Sequence, residues 1–281
     1  MVAVLEEREL FGYVEMTNEQ YHDAPGTSKS HLDCIAERSD RHYWAEYVDP
    51  NRVRQPSTPA LLLGNAIHRA ILEPDLFETE FFMALDLPHR SNADKEAHAA
   101  YAAANAGKTL LTAQQYDACI KVRDEAHRHP VASGLLTGGV SEQSFFAPDP
   151  ETGALIKCRL DYRIGDIDGG IVIDVKSTTD ASPDAFGRDA AKFRYDLQPA
   201  WYFDVLHSAY RVRPSQFVWI AIEKEWPFAV GIYYADEEMI ERARVTARRD
   251  FLRILECRQR GEYPDYGHTI QKLQLPNWVQ R

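Results

Sequence analysis

The stretch Leu160-Asp161-Tyr162-Arg163-Ile164, a turn at Gly165-Asp166-Ile167-Asp168-Gly169-Gly170, and then Ile171-Val172-Ile173-Asp174-Val175-Lys176 decides how this chain is read. Side chains on a strand alternate between faces. Ile171, Ile173 and Val175 are therefore expected in a core, while Val172, Asp174 and Lys176 face the other way. In the preceding strand Ile156, Cys158, Leu160, Tyr162 and Ile164 form one set, and Lys157, Arg159, Asp161 and Arg163 the other. Two carboxylates and an amine thus share the polar face of a hairpin. A hard divalent cation such as Mg²⁺ takes oxygen ligands and keeps several waters, so paired carboxylates suit it. A lysine beside them favours a deprotonated water, and the set suits phosphodiester hydrolysis. The plain alternative is a surface ion pair between Asp174 and Lys176 that stabilises little.

The neighbouring segments carry further candidates. Thr27 or Ser28 is expected to cap a helix containing Leu32, Ile35 and Ala36. Ser28 and Ser30 could also donate to a phosphate there, capping being the plainer role. Pro56-Ser57-Thr58-Pro59 opens the next helix, Ala60 to about Glu73, which Pro74 stops. On it His68 lies one turn beyond Gly64, where the groove lacks a side chain; the alternatives are a ligand and a structural histidine. Gly107-Lys108-Thr109 is no Walker loop, because Ala102 stands where a glycine is needed and no apolar strand precedes it, so ATP binding is not expected. Thr112-Ala113-Gln114-Gln115 is a capping box. Glu142, before Ser144-Phe145-Phe146, could join the acidic site from a neighbouring strand; an exposed edge glutamate is the other reading. Ser182-Pro183-Asp184 starts a helix expected to continue through Gln198 and Tyr202, which share a face four residues apart. Phe217–Ile222 and Phe228–Tyr234 read as strands, and a helix follows from about Asp236 towards Arg260.

Composition agrees with an intracellular enzyme. The chain has 281 residues, 44% of them hydrophobic, enough for one large α/β domain. The expected division is an extension over about 1–26, a mainly helical part over 27–135 and a core over 136–281. Cys34, Cys119, Cys158 and Cys257 are scattered without a Cys-x-x-Cys pair, against a zinc site or disulfide framework. The acidic start, Met1 to Glu9, does not read as a secretory signal, and no run approaches membrane-spanning length, so a cytoplasmic location without membrane association is expected. A net charge of −11 argues against coating nucleic acid non-specifically. Lys157, Arg159, Arg163, Lys176, Arg188, Lys192 and Arg194 nevertheless gather in the central third, which suggests an acidic exterior around a basic channel. Arg90 and Lys108, on a polar stretch, and Arg159 join Ser28 and Ser30 as candidate DNA contacts.

Asp161 followed by Asp174-Val175-Lys176 resembles the core of the PD-(D/E)XK nuclease superfamily. Ser28-Lys29-Ser30-His31-Leu32-Asp33, Leu63-Gly64-Asn65-Ala66-Ile67-His68, Leu72-Glu73-Pro74, Gly107-Lys108-Thr109, Cys158-Arg159-Leu160-Asp161, Asp174-Val175-Lys176-Ser177-Thr178, Gln198 with Tyr202, and Leu275-Pro276-Asn277-Trp278 are similar to the RecE (exonuclease VIII) nuclease-domain family, in the same order. The resemblance implies a restriction-endonuclease-like α/β core, a mixed central sheet flanked by helices, with a helical N-terminal elaboration and a metal site on the sheet edge. It implies Mg²⁺, with Mn²⁺ as a substitute, held by Asp161, Asp174, the Val175 carbonyl and His68, with Glu142 as a further candidate. Lys176 would orient and activate the attacking water, supported by Gln198 and Tyr202. The activity implied is 5′ to 3′ digestion of double-stranded DNA from an end, leaving 3′ overhangs for recombination by annealing. A RecT-type single-strand annealing partner and a ring-shaped homotetramer are implied likewise. Some superfamily members carry an iron–sulfur cluster, but the cysteine spacing does not support one here. The alternatives are another nuclease of the superfamily, of endonuclease or CRISPR-associated type, and a DNA-end-binding protein without chemistry.

Overall fold

The computed structural model describes residues 10–53, 58–88, 90–267 and 269–275. The Pro56-Ser57 and Pro276-Asn277-Trp278 parts of the motifs above, and the acidic start, lie outside these residues. The strands are β1 (Gly12–Val14), β2 (Phe81–Met83), β3 (Thr109–Leu111), β4 (Val140–Pro148), β5 (Leu155–Ile164), β6 (Ile171–Thr178), β7 (Gln216–Glu223) and β8 (Val230–Tyr234). The helices are α1 (Asn18–Asp23), α2 (Lys29–Glu37), α3 (Asp40–Tyr43), α4 (Pro59–Leu72), α5 (Pro74–Glu80), α6 (Asn92–Ala104), α7 (Ala113–Arg128), α8 (Pro130–Leu135), α9 (Pro183–Lys192), α10 (Leu197–Tyr210) and α11 (Glu237–Arg260). None is long and apolar enough, among the described residues, to cross a membrane. The chain divides into two compact units, one of residues 1–29 and 55–247, the other of residues 30–54 and 248–281.

The larger unit is built on a six-stranded sheet in the order β1-β4-β5-β6-β7-β8. The pair β6–β7 is parallel and the other pairs are antiparallel. At the β4–β5 turn Asp149 takes the Thr152 N–H at 2.9 Å and Gly153 supplies a positive φ of 72°. The parallel pair needs a crossover, and α9 and α10 provide it. One helix was expected from Ser182 through Tyr202, but the chain turns at Arg194, whose φ is 53°, and resumes as α10. Ser182 stands at the N-cap of α9 without a side-chain capping bond, while the expected Thr112–Gln115 box is present on α7.

Helices cover both faces of the sheet. Ile67 and Ile71 of α4 and Val122 of α7 pack with Ile173, Val175 and Ile220 in one core. On the other face α10 contacts β4 and β5, with Tyr202 and Phe203 against Phe217. This is why Val172 is as buried as Ile173: a strand covered on both sides reads as a continuous apolar run, and the half-exposed hairpin expected from alternation does not occur.

In the smaller unit α3 runs into a π-helical turn, Trp44–Val48. Its buried Tyr43 accepts from the Arg258 guanidinium at 2.6 and 3.0 Å, and His31 stacks on Tyr47 with ring centroids 3.9 Å apart.

Candidate active site

Strands β5 and β6 pair only over Tyr162–Ile164 and Ile171–Ile173. The next step of the ladder would set Asp161 against Asp174, and there the strands part. Asp161 replaces the missing ladder bond: its Oδ2 accepts the Val175 N–H at 3.0 Å. The fork lies in the interior of the sheet, between its third and fourth strands, and not at the sheet edge as expected. α4 approaches from one side and brings His68 Nδ1 to 3.3 Å from Asp161 Oδ2. Gly64 aids that approach modestly, since a Cβ there would meet only Ser177 Oγ at 4.0 Å, an ordinary contact.

From the other side α10 covers Asp174, which is 1% exposed. Gln198 Nε2 donates to Asp174 Oδ1 at 2.6 Å, and Trp219 Nε1 donates to Gln198 Oε1 at 3.5 Å. Lys176 Nζ lies 2.5 Å from Asp174 Oδ2, so this buried oxygen is paired with the ammonium. Lys176 also sits over the Tyr195 ring, 4.8 Å from its centroid. The exposed polar face and surface ion pair considered from alternation are therefore replaced by a covered site. The Tyr202 phenol, one helical turn beyond Gln198, is pushed well up by burial and by Asp174.

The charges are out of balance. Burial, and then the charge of Asp174, raise the Asp161 carboxyl well above the usual carboxylate range, against the lowering effect of Lys176. Burial lowers the lysine ammonium, but Asp174 and Asp161 outweigh it and raise Lys176 above its ordinary value. Burial, then Lys176, lower His68, which favours its neutral, ligating form. Burial and a neighbouring carboxylate together hold Asp161 against ionisation, an effect that a cation placed between the two acids would oppose. Among the described residues no three His, Cys, Asp or Glu side chains form a ready cation cage. Two carboxylates and an imidazole are nevertheless donors of the kind a hard divalent ion takes when it keeps much of its water.

Glu142 stands opposite Asp161 in the β4–β5 register, at a left-handed φ of 54°. Its carboxylate is spent on Arg159 Nε at 2.7 Å. Arg159 in turn donates to the Met16 carbonyl and Ser144 Oγ, so it is not a cation free to meet phosphate. Lys157, expected in a basic channel, is 1% exposed and donates to the carbonyls of Tyr21 and Ala24. Arg163 is bound to Gln143 and the Gly165 carbonyl, and Lys108 to the Glu78 carbonyl. Thr27 Oγ1 is buried without a hydrogen-bond partner and caps nothing. The Ser28 hydroxyl is bonded to Tyr21, Ser30 is exposed in the smaller unit, and Arg90 is an exposed residue before α6.

Two site residues escaped the sequence reading. Tyr195 precedes Gln198 by three residues, with the Gln198 N–H on its carbonyl at 3.0 Å, so extending the helical spacing one turn back would have found it. Trp219 is the register partner of Asp174 across the parallel pair, and nothing local marks it.

Comparison with known families gives one match over residues 28–276, to a family described as "PDDEXK-like domain of unknown function (DUF3799)". A solved structure from Eubacterium rectale, described as "Putative exonuclease", is 13% identical, covers 93% of this chain and 97% of its own, and superposes with a TM-score of 0.62, which speaks for the fold. A second, SSO0001, covers 66% of this chain and 84% of its own at 18% identity with a TM-score of 0.28. No curated protein matches the chain.

Proposed function

The chain belongs to the PDDEXK-like family DUF3799, and we propose that it is a Mg²⁺-dependent exonuclease, with Mn²⁺ as a substitute, that digests double-stranded DNA 5′ to 3′ from an end. Nucleases of this superfamily typically work with divalent metal ions. The observation that carries the reading is the gathering of two carboxylates, Asp174 paired with Lys176 and Asp161 across a strand fork, with His68 beside them. Asp161, Asp174, the Val175 carbonyl and His68 would hold the ion, which when bound lowers the pKa of water and offsets charge developing on the phosphate. Gln198 fixes the Asp174 carboxylate through Oδ1, and Lys176 stands at Oδ2, the oxygen an ion would share with it. Lys176, held as an ammonium by the two carboxylates, orients the attacking water and stabilises it as hydroxide. Tyr202 supports Gln198, and Glu142 restrains Arg159 beside the fork.

Polarity, 3′ overhangs for annealing, a RecT-type partner, a closed tetrameric ring and a cytoplasmic location rest on the resemblance to RecE nucleases. Duplexes labelled separately at each 5′ and 3′ end test the activity. Release of mononucleotides from the 5′ label first, only with Mg²⁺ or Mn²⁺, is the expected result. Internal cutting of a closed circle would point to an endonuclease, and binding of ends without cleavage under any divalent ion would sink the catalytic reading.

A further inference from the structure

Phe193 and Tyr195 follow the C-terminus of α9, and three lysines converge on their rings. Lys192 Nζ lies 4.9 Å from the Phe193 centroid, Lys176 Nζ 4.8 Å from that of Tyr195, and Lys29 Nζ 5.9 Å from the same Tyr195 ring. The two rings stack on each other with centroids 5.7 Å apart and planes 26° apart. Lys29 also donates to the Phe193 carbonyl at 2.8 Å, which fixes the segment. The α9 helix meets its core through Phe186, which is 3% exposed, whereas Phe193 is 43% exposed. Lys192 and, one turn earlier, Arg188 are exposed as well. A single exposed aromatic residue needs no explanation. An exposed ring stacked next to the one that carries Lys176, in a chain of net charge −11, concentrates both cations and π-surface beside the acidic pair.

We propose that Phe193 and Lys192 form a binding subsite for single-stranded nucleic acid next to the scissile position: a nucleobase stacks on the exposed Phe193 ring, and the Lys192 ammonium, 4.9 Å from its centroid, turns to the adjoining phosphate. Stacking of this kind tolerates any base, because each presents a π-face. The adjacency to a scissile bond rests on the nuclease reading above; the binding itself does not.

The test uses the full chain and a short labelled oligothymidylate in EDTA, read by fluorescence anisotropy across a salt series. Phe193→Ala is expected to weaken binding about 5- to 150-fold at every salt concentration with the salt slope unchanged. Lys192→Ala is expected to flatten the slope of log affinity against log salt by about 0.7, the value for one phosphate contact on a single strand. Phe193→Trp should keep the affinity and gain a fluorescence quenching on binding that the wild type lacks. Wild-type affinity in a Phe193→Ala protein that melts normally, a Phe193→Trp signal indifferent to the oligonucleotide, or no binding by the wild type would each overturn the subsite. Loss of binding in Phe193→Ala, together with a wild type that cleaves no DNA under Mg²⁺ or Mn²⁺, would leave the subsite standing and remove the nuclease reading.

Discussion

At the scale of single residues, the fork between β5 and β6 sets expectations that differ in sign. Lys176→Ala removes a partly buried cation from between two carboxylates and leaves the packing of β6 in place. It is expected to lower cleavage about 10²–10⁴-fold, the range for orienting and acid–base groups. A folded Lys176→Ala protein with wild-type turnover would contradict the role given to the ammonium. Asp174→Asn and Asp161→Asn should each abolish metal-dependent cleavage; Asp161→Asn is expected to preserve or raise metal-free thermal stability by relieving carboxylate repulsion, whereas Asp174→Asn lowers it by removing the countercharge of Lys176, and unchanged Mg²⁺ binding by calorimetry in both would show that they are not ligands. The pH dependence follows from the raised Asp161 carboxyl. With a folded-state pKa above the unfolded value, the native state binds more protons, so its stability falls as pH rises from the unfolded value, about 4, through the raised one. Denaturant unfolding in EDTA should show wild-type stability declining relative to Asp161→Asn across that window, and added Mg²⁺ should oppose the decline. Parallel curves for the two proteins would mean that Asp161 does not carry the shift.

At the scale of elements, β5 shows why charge on a strand is a poor guide to a binding face. Lys157, Arg159, Asp161 and Arg163 alternate as a polar set, yet only Asp161 belongs to the fork. Arg159 and Arg163 are tied to side chains of β4, and Trp201 of α10 donates to the Lys157 backbone carbonyl at 3.1 Å. Lys157 Nζ instead serves the carbonyls that end α1, at 2.7 and 2.6 Å. Lys157→Ala should therefore lower the denaturant midpoint, leaving two buried carbonyls unsatisfied at about 1–3 kcal/mol each. It should not alter the salt dependence of DNA binding; a flatter salt slope in that variant would return Lys157 to the nucleic-acid surface.

At the scale of the whole molecule, the proposed exonuclease, with a net charge of −11, would have to hold DNA through successive cuts by something other than a broadly basic surface. A closed symmetric ring with its cations inward would serve. Native mass measurement is expected to give about four times the chain mass, and salt should weaken loading more than continued digestion, since capture is screened and enclosure is not. A monomer that degrades long duplexes without dissociating would contradict this.

Strands β5 to β8, the capping box at Thr112, the β4–β5 turn and the clustering of Asp161, Asp174 and Lys176 were legible in the sequence. Each depends on residues close along the chain: alternation along a strand, side-chain oxygens at a helix start, a turn glycine. The family resemblance added His68, Gln198 and Tyr202 by their order. What local pattern could not decide was which face of the sheet stays open and how the chain turns between helices. Covering of both faces by α4, α7 and α10 turned an expected exposed polar face into a covered one, and the fork where β5 parts from β6 lies in the sheet interior. Trp219 entered it through a parallel pairing that only the crossover creates. Burial and strand pairing join residues far apart in sequence, so the electrostatics of the fork, and with it the raised Asp161 carboxyl, belong to the tertiary structure alone.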